Sequence, residues 1–128
     1  MMHDFTKYLK LNYKPGGRGD DGTIDCYGLF HLVVREVYND NRFPDYKDKG
    51  ILGGLHGLKE CNSFAGVRGI TKIDTPTDGA FVQMNNVYGM PAHCGIVVNG
   101  DKILHADEDG VRIETIAYLQ NRIISYWK

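Results

Sequence analysis

The sequence predicts an α+β domain, a helical first half followed by an antiparallel sheet. Two changes of pattern carry that prediction. Apolar side chains recur at 26, 29, 30, 33, 34 and 37, the spacing of a helix packed in an interior. From residue 80 onward the period drops to two, and Asn99-Gly100 sits between two apolar runs as a hairpin turn. The turn Thr75-Pro76-Thr77-Asp78-Gly79 separates the two halves. A chain of 128 residues is long enough for one domain with a single core.

In chain order, residues 4 to 11 read as a short helix with Phe5, Tyr8 and Leu9 on one face, stopping before Pro15-Gly16-Gly17. Tyr13 lies in an extended lead to the glycines. The loop 16–22 lacks the Lys-Ser/Thr ending of a phosphate loop, so its glycines serve close backbone approach beside Cys26. Asp25 is the N-cap of the central helix, which runs from about 26 to 38 and ends at Asn39-Asp40-Asn41. His31 lies about 140° around that helix from Cys26 and is a surface or packing residue. Residues 45 to 78 are poorly legible, because Gly50, Gly53, Gly54 and Gly57 interrupt a helical spacing. Beyond them, 80–84, 93–98, 102–106 and 111–113 read as strands. Residues 114 to 120 read as a short helix, and 123–127 as a closing strand.

Composition excludes several classes. An apolar content of 42% and a net charge of -1 describe an ordinary globular chain, with no basic run for nucleic acid. No stretch approaches a membrane span, and the start has no signal-peptide pattern. The missing signal pattern predicts a protein held in the cytoplasm until lysis. Three cysteines, 26, 61 and 94, form an odd count without CxxC spacing, which predicts reduced thiols.

The chemistry starts at Cys26, the first helical residue after its cap. Free N–H groups and the positive end of the helix dipole favour a thiolate there. Alone, such a cysteine is most simply a small buried side chain. The distant histidines 93 and 105 change that, since a single thiol with remote imidazoles is the pattern of a nucleophile with its base. Side-chain alternation sets a parity condition on the hairpin between them. A strict two-residue loop would place the histidines on opposite faces, whereas a three-residue loop pairs 98 with 102 and sets His105 across from Gly95. The three-residue form is expected, with Cys94 turned to the core. His93 then acts as general base and acid, and His105 orients it. The Cys26 N–H and the Tyr13 hydroxyl are the oxyanion donors. Zinc held by Cys26, His93 and His105 is the competing reading, and His56 with Cys61 is a weaker metal candidate. The expected site contains no metal and no cofactor.

Asp25-Cys26-Tyr27-Gly28-Leu29, His93-Cys94-Gly95-Ile96-Val97 and Ile103-Leu104-His105-Ala106 resemble the signature blocks of NlpC-type papain-like cysteine peptidases. Asn12-Tyr13-Lys14-Pro15-Gly16-Gly17 is similar to the tyrosine and double glycine that precede them in that family. The resemblance implies a minimal papain-like fold, with Cys26 opening a buried helix packed on an antiparallel sheet. It implies a catalytic triad of Cys26, His93 and His105, with Tyr13, Asp25 and Tyr27 as oxyanion or substrate-binding residues. It implies hydrolysis of peptidoglycan stem peptides, typically between D-γ-glutamyl and a diamino acid. The lead Gly17 to Gly22 and the block 25–29 resemble the phage tail-associated branch, which makes other tail proteins candidate partners. Tyr27 stands where serine or tryptophan is common, and Cys94 where valine is usual. A working peptidase, a non-hydrolytic tail-tip module and an acyltransferase on the same fold are the alternatives.

Overall fold

The computed structural model describes residues 2–45 and 69–128. The candidate metal pair His56 and Cys61, and the helical spacing at 51–58, lie outside those residues.

The central element is the helix α1, Cys26–Glu36, begun by Asp25. The Asp25 carboxylate accepts from the Gly28 N–H at 2.6 Å, which satisfies a donor that the first turn leaves open. Every α1 residue from Cys26 to His31, with Val33 and Val34, is buried. The helix ends two residues earlier than residue 38, and Asn39 at φ 55 carries the chain away. The N-terminal helix expected over 4–11 is instead a turn followed by a 3-10 segment, Tyr8–Lys10. Phe5 and Tyr8 are buried as expected, but Leu9 is exposed, because three-residue winding turns it out to solvent.

Two short parallel strands, β1 (Asn12–Tyr13) and β2 (Thr23–Ile24), clamp the ends of the glycine-rich loop. The loop makes the close approach expected of it. A Cβ on Gly17 would lie 2.6 Å from the Ile24 nitrogen, and one on Gly28 would collide with the Gly17 carbonyl oxygen.

The second half is a six-stranded antiparallel sheet. Its strands are β3 (Lys72–Ile73), β4 (Phe81–Met84), β5 (His93–Val98), β6 (Lys102–Asp107), β7 (Gly110–Thr115) and β8 (Ile123–Trp127). Their spatial order is β3-β8-β4-β5-β6-β7. Between β7 and β8, the helix expected at 114–120 is only Ile116–Leu119, followed by a 3-10 turn through Arg122. Thr115 ends the strand and caps that helix, its hydroxyl accepting from the Tyr118 N–H.

β5 is buried along its whole length. Cys94, Ile96 and Val98 join Leu104, Phe81 and the α1 side chains in the main core. On the opposite face Val82, Val97 and Ile103 pack under Leu119, with Ile116 and Ile123 at the margin. The sheet is therefore covered on both faces, α1 on one and the C-terminal helical turn on the other. Among the described residues no helix is long and apolar enough to cross a membrane.

Candidate active site

The hairpin register takes the three-residue form. Val98 pairs with Lys102 and Gly95 with His105, and both Asn99 and Gly100 adopt positive φ. His93 and His105 share a face, and the His93 Nε2 and His105 Nδ1 atoms are 2.8 Å apart in the interior. Gly95 makes this possible, since a Cβ there would lie 2.6 Å from an Ile103 methyl and 3.1 Å from the His105 Cβ.

By alternation this face points away from α1. His93, however, is the first residue of β5, and its ring still hydrogen-bonds the Cys26 thiol at the start of the helix. Its Nε2 is engaged by His105, so the nitrogen facing sulfur is Nδ1.

The chain of contacts continues beyond the three expected residues. His105 Nε2 meets the Glu114 carboxylate at 2.8 Å, and the Arg112 Nε holds the same oxygen at 3.2 Å. A carboxylate only accepts, which fixes the tautomers in sequence. Glu114 takes the His105 Nε2–H, so His105 Nδ1 carries a lone pair. That lone pair takes the His93 Nε2–H, and His93 Nδ1 is left to exchange a proton with Cys26. Burial first, and the neighbouring His93 charge next, lower the His105 imidazolium to about 4 against the pull of Glu114, so His105 is neutral at pH 7. Burial works to raise the Glu114 carboxyl, but its bonds from His105 and Arg112 outweigh that and hold it below the ordinary carboxylate range. No motif marks Glu114 in the sequence. Its signal was positional: it stands two residues from Arg112, the cross-strand partner of His105.

The Cys26 thiol is brought down to about 5. The largest contribution is a hydrogen bond with the Cys94 side chain, followed by the bond to His93, and burial opposes both. Cys94 turns to the core as its parity requires, and there it meets Cys26, a contact that spacing alone did not disclose.

Cys26 opens onto a cavity of about 300 Å³ lined by Tyr13, His93 and the loop residues Asn86 to Tyr88. Its rim carries the carboxylates of Asp107, Glu108 and Asp109 and the guanidinium of Arg122. Burial first, then the Cys26 and Asp25 charges, push the Tyr13 phenol up to about 12, so its hydroxyl keeps its proton.

Two expected binding residues do not reach the cavity. Asp25 is buried with both oxygens committed, to Gly28 N–H and Arg18 on one side and Gly16 N–H on the other. It builds the helix start rather than contacting substrate. Tyr27 is fully buried, its hydroxyl donating to the Pro44 carbonyl at 2.6 Å and its ring stacked on His31. It belongs to the core because the second helical position turns inward when the first faces the cavity. His31 is accordingly a packing residue.

The ligand atoms of His93, His105 and Asp107 lie within 4.8 Å of one another, a spacing that a divalent ion could use. They are otherwise occupied. The two imidazoles bond each other, and both Asp107 oxygens accept from Arg112 at 2.7 Å.

A helix-borne thiol hydrogen-bonded to an imidazole on a neighbouring antiparallel sheet is the arrangement of papain-like thiol sites. The chain belongs to the NlpC/P60 family, which it matches over residues 10–128. Among solved structures it is similar to the NlpC/p60 domain of the peptidoglycan hydrolase SagA, at 17% identity and TM-score 0.58, covering 96% of this chain and 91% of that one. It is also similar to NlpC2 of Trichomonas vaginalis, at 18% identity and TM-score 0.55, and to NlpC1 of the same organism, at 18% and 0.52. The shared part covers 96% of this chain but only 43% and 41% of those two. At these identities the likeness is one of fold. A search of curated proteins returned no match.

Proposed function

We propose that this chain is a cysteine peptidase that hydrolyses stem-peptide amide bonds of peptidoglycan through an acyl-enzyme on Cys26. The observation that carries this reading is the unbroken line Cys26–His93–His105–Glu114 opening on a cavity. The Cys26 thiolate attacks the amide carbonyl, and the developing oxyanion takes hydrogen bonds from the Cys26 N–H and the Tyr13 hydroxyl. As the first helical residue, Cys26 has no acceptor for its N–H within the helix. His93 passes its Nδ1 proton to the leaving amine and then takes one from the water that releases the acyl group.

The family and the SagA domain support a cell-wall substrate. The rim charges support a ligand carrying both signs, since Glu108 and Asp109 suit an ammonium group and Arg122 a carboxylate. A D-γ-glutamyl–diamino acid junction carries both. The phage-tail setting, and a non-hydrolytic tail-tip role, rest on the resemblance at residues 17–29.

Wild type, Cys26→Ala and His93→Ala are compared on purified peptidoglycan and on small stem peptides, with released amine as the readout. Amine released by wild type alone, and lost after thiol alkylation, is the expected result, and fragment masses then name the bond. No release from any of the three, with Cys26 slow to alkylate at neutral pH, would favour the structural tail-tip reading.

A further inference from the structure

Two cysteines meet at the site where one suffices for hydrolysis. Cys26 lies on the cavity wall and Cys94 does not, so Cys94 reaches the nucleophile from the protein interior. Both are buried in one core cluster, their side chains are hydrogen-bonded to each other, and neither is in a disulfide. β5 packs directly against α1, with Cys94 on the strand face that joins the α1 side chains in the core. The assigned chemistry uses only Cys26.

We propose that Cys26 and Cys94 form a reversible disulfide when a peroxide enters the cavity, with Cys94 as the resolving thiol. The Cys26 thiolate attacks one peroxide oxygen, the O–O bond breaks, and hydroxide leaves and is protonated to water. Cys26 is now a sulfenic acid. The Cys94 sulfur attacks the Cys26 sulfur, the S–O bond breaks, and the oxygen leaves as a second water carrying the Cys94 proton. Two thiols are oxidised by two electrons and one peroxide is reduced to two waters. The positions suit this order, since oxidant reaches Cys26 from the cavity it lines while Cys94 lies in the core and off the cavity wall. A fully buried resolving thiol is also shielded from the peroxide itself. A small dithiol reverses the link by thiol exchange. The consequence is protection, because a sulfenic acid without a partner oxidises on to irreversible acids.

The proposal needs the contact between the thiols and not turnover, so its test is covalent. The full chain is treated with hydrogen peroxide, alkylated and digested with trypsin, which places Cys26, Cys61 and Cys94 in the separate peptides 19–35, 60–68 and 73–102. The expected product is peptide 19–35 joined to 73–102, released by dithiothreitol with at least about nine-tenths of Cys26 again open to alkylation. In Cys94→Val the same treatment leaves Cys26 as sulfinic or sulfonic acid with under about one-tenth recovered. Wild type that yields over-oxidised Cys26 beside a free Cys94 overturns the proposal. A link from Cys26 to Cys61 overturns it equally. The crosslink in wild type decides the matter even if the valine variant fails to fold.

Discussion

Replacing either hydrogen-bond partner of Cys26 should return its thiol toward ordinary acidity. The folded chain holds the thiol at about 5 against an ordinary 9.0, through Cys94 first and His93 next. Converted at about 1.36 kcal/mol per pH unit, that difference is on the order of 5 kcal/mol in favour of the thiolate. The folded value is depressed, so the contribution is complete above the unfolded value and is lost as pH falls through the folded one. Between pH 5 and pH 9 the unfolded chain holds one more proton at this residue. Stability should therefore rise with pH by up to about 1.4 kcal/mol per unit from this group. Alkylation of Cys26, followed on peptide 19–35, should show a midpoint near 5 in wild type. The midpoint should move up by about one unit or more in His93→Ala and in Cys94→Val, since each removes a bond to a charged group worth about 1.5–3 kcal/mol. Urea unfolding of wild type and Cys26→Ala should diverge as pH is raised from 5 to 8. A wild-type midpoint near 9, with the same stability difference at both ends of that range, would refute the reasoning.

Four further outcomes test the surroundings. Glu114→Gln keeps an acceptor but loses the charge, so kcat/KM should fall about 5-fold, and Glu114→Ala about 30-fold, from roughly 1 and 2 kcal/mol; equal activity in all three would show that the outer carboxylate positions nothing. Tyr13→Phe removes the hydroxyl proposed as the second oxyanion donor and should lower kcat about 100-fold with little change in KM, checked by steady-state release of amine. Arg18→Ala strands the buried Asp25 carboxylate, whose pair with Arg18 spans 2.9 Å, and should cost about 3 kcal/mol. Calorimetry should then find Tm lower by roughly 10 °C. Gly95→Ala should displace His105, because its Cβ has no room beside Ile103. Kinetics should find activity lost by a larger factor than the accompanying overpacking cost of about 1–3 kcal/mol accounts for.

The readable parts of the chain were those where a local pattern decides the outcome. The α1 spacing and the Asp25 cap are local, and so are the alternating runs of β4 to β6. The hairpin parity joined two histidines twelve residues apart, because one turn separates them. Illegible features depend on what arrives from elsewhere. Tyr27 and Asp25 flank Cys26 in sequence, yet helix geometry turns one into the core and Arg18 claims the other. Glu114 read as the start of a helix, because strand pairing with β6 carries β7 on to Thr115 against local propensity. The second core beneath the sheet depends on where Leu119 docks, which no short window encodes.

The outer residues matter for a reason that runs opposite to the usual description of such sites from the nucleophile outward. Neutral imidazole has one donor and one acceptor, so a line of two imidazoles has a direction, and something must choose it. While it is protonated the Cys26 end does not choose, since a thiol can either donate or accept. The Glu114 end does, because a carboxylate kept ionised by Arg112 can only accept. That choice reaches sulfur only while His105 stays on the face of His93, which the register of one hairpin decides. A slip of one residue between Val98 and Lys102 would turn His105 to the opposite face and break the line at both of its bonds. Asn99 and Gly100, at positive φ and some distance from the cavity, are thus as necessary to the thiolate's partner as the imidazoles are.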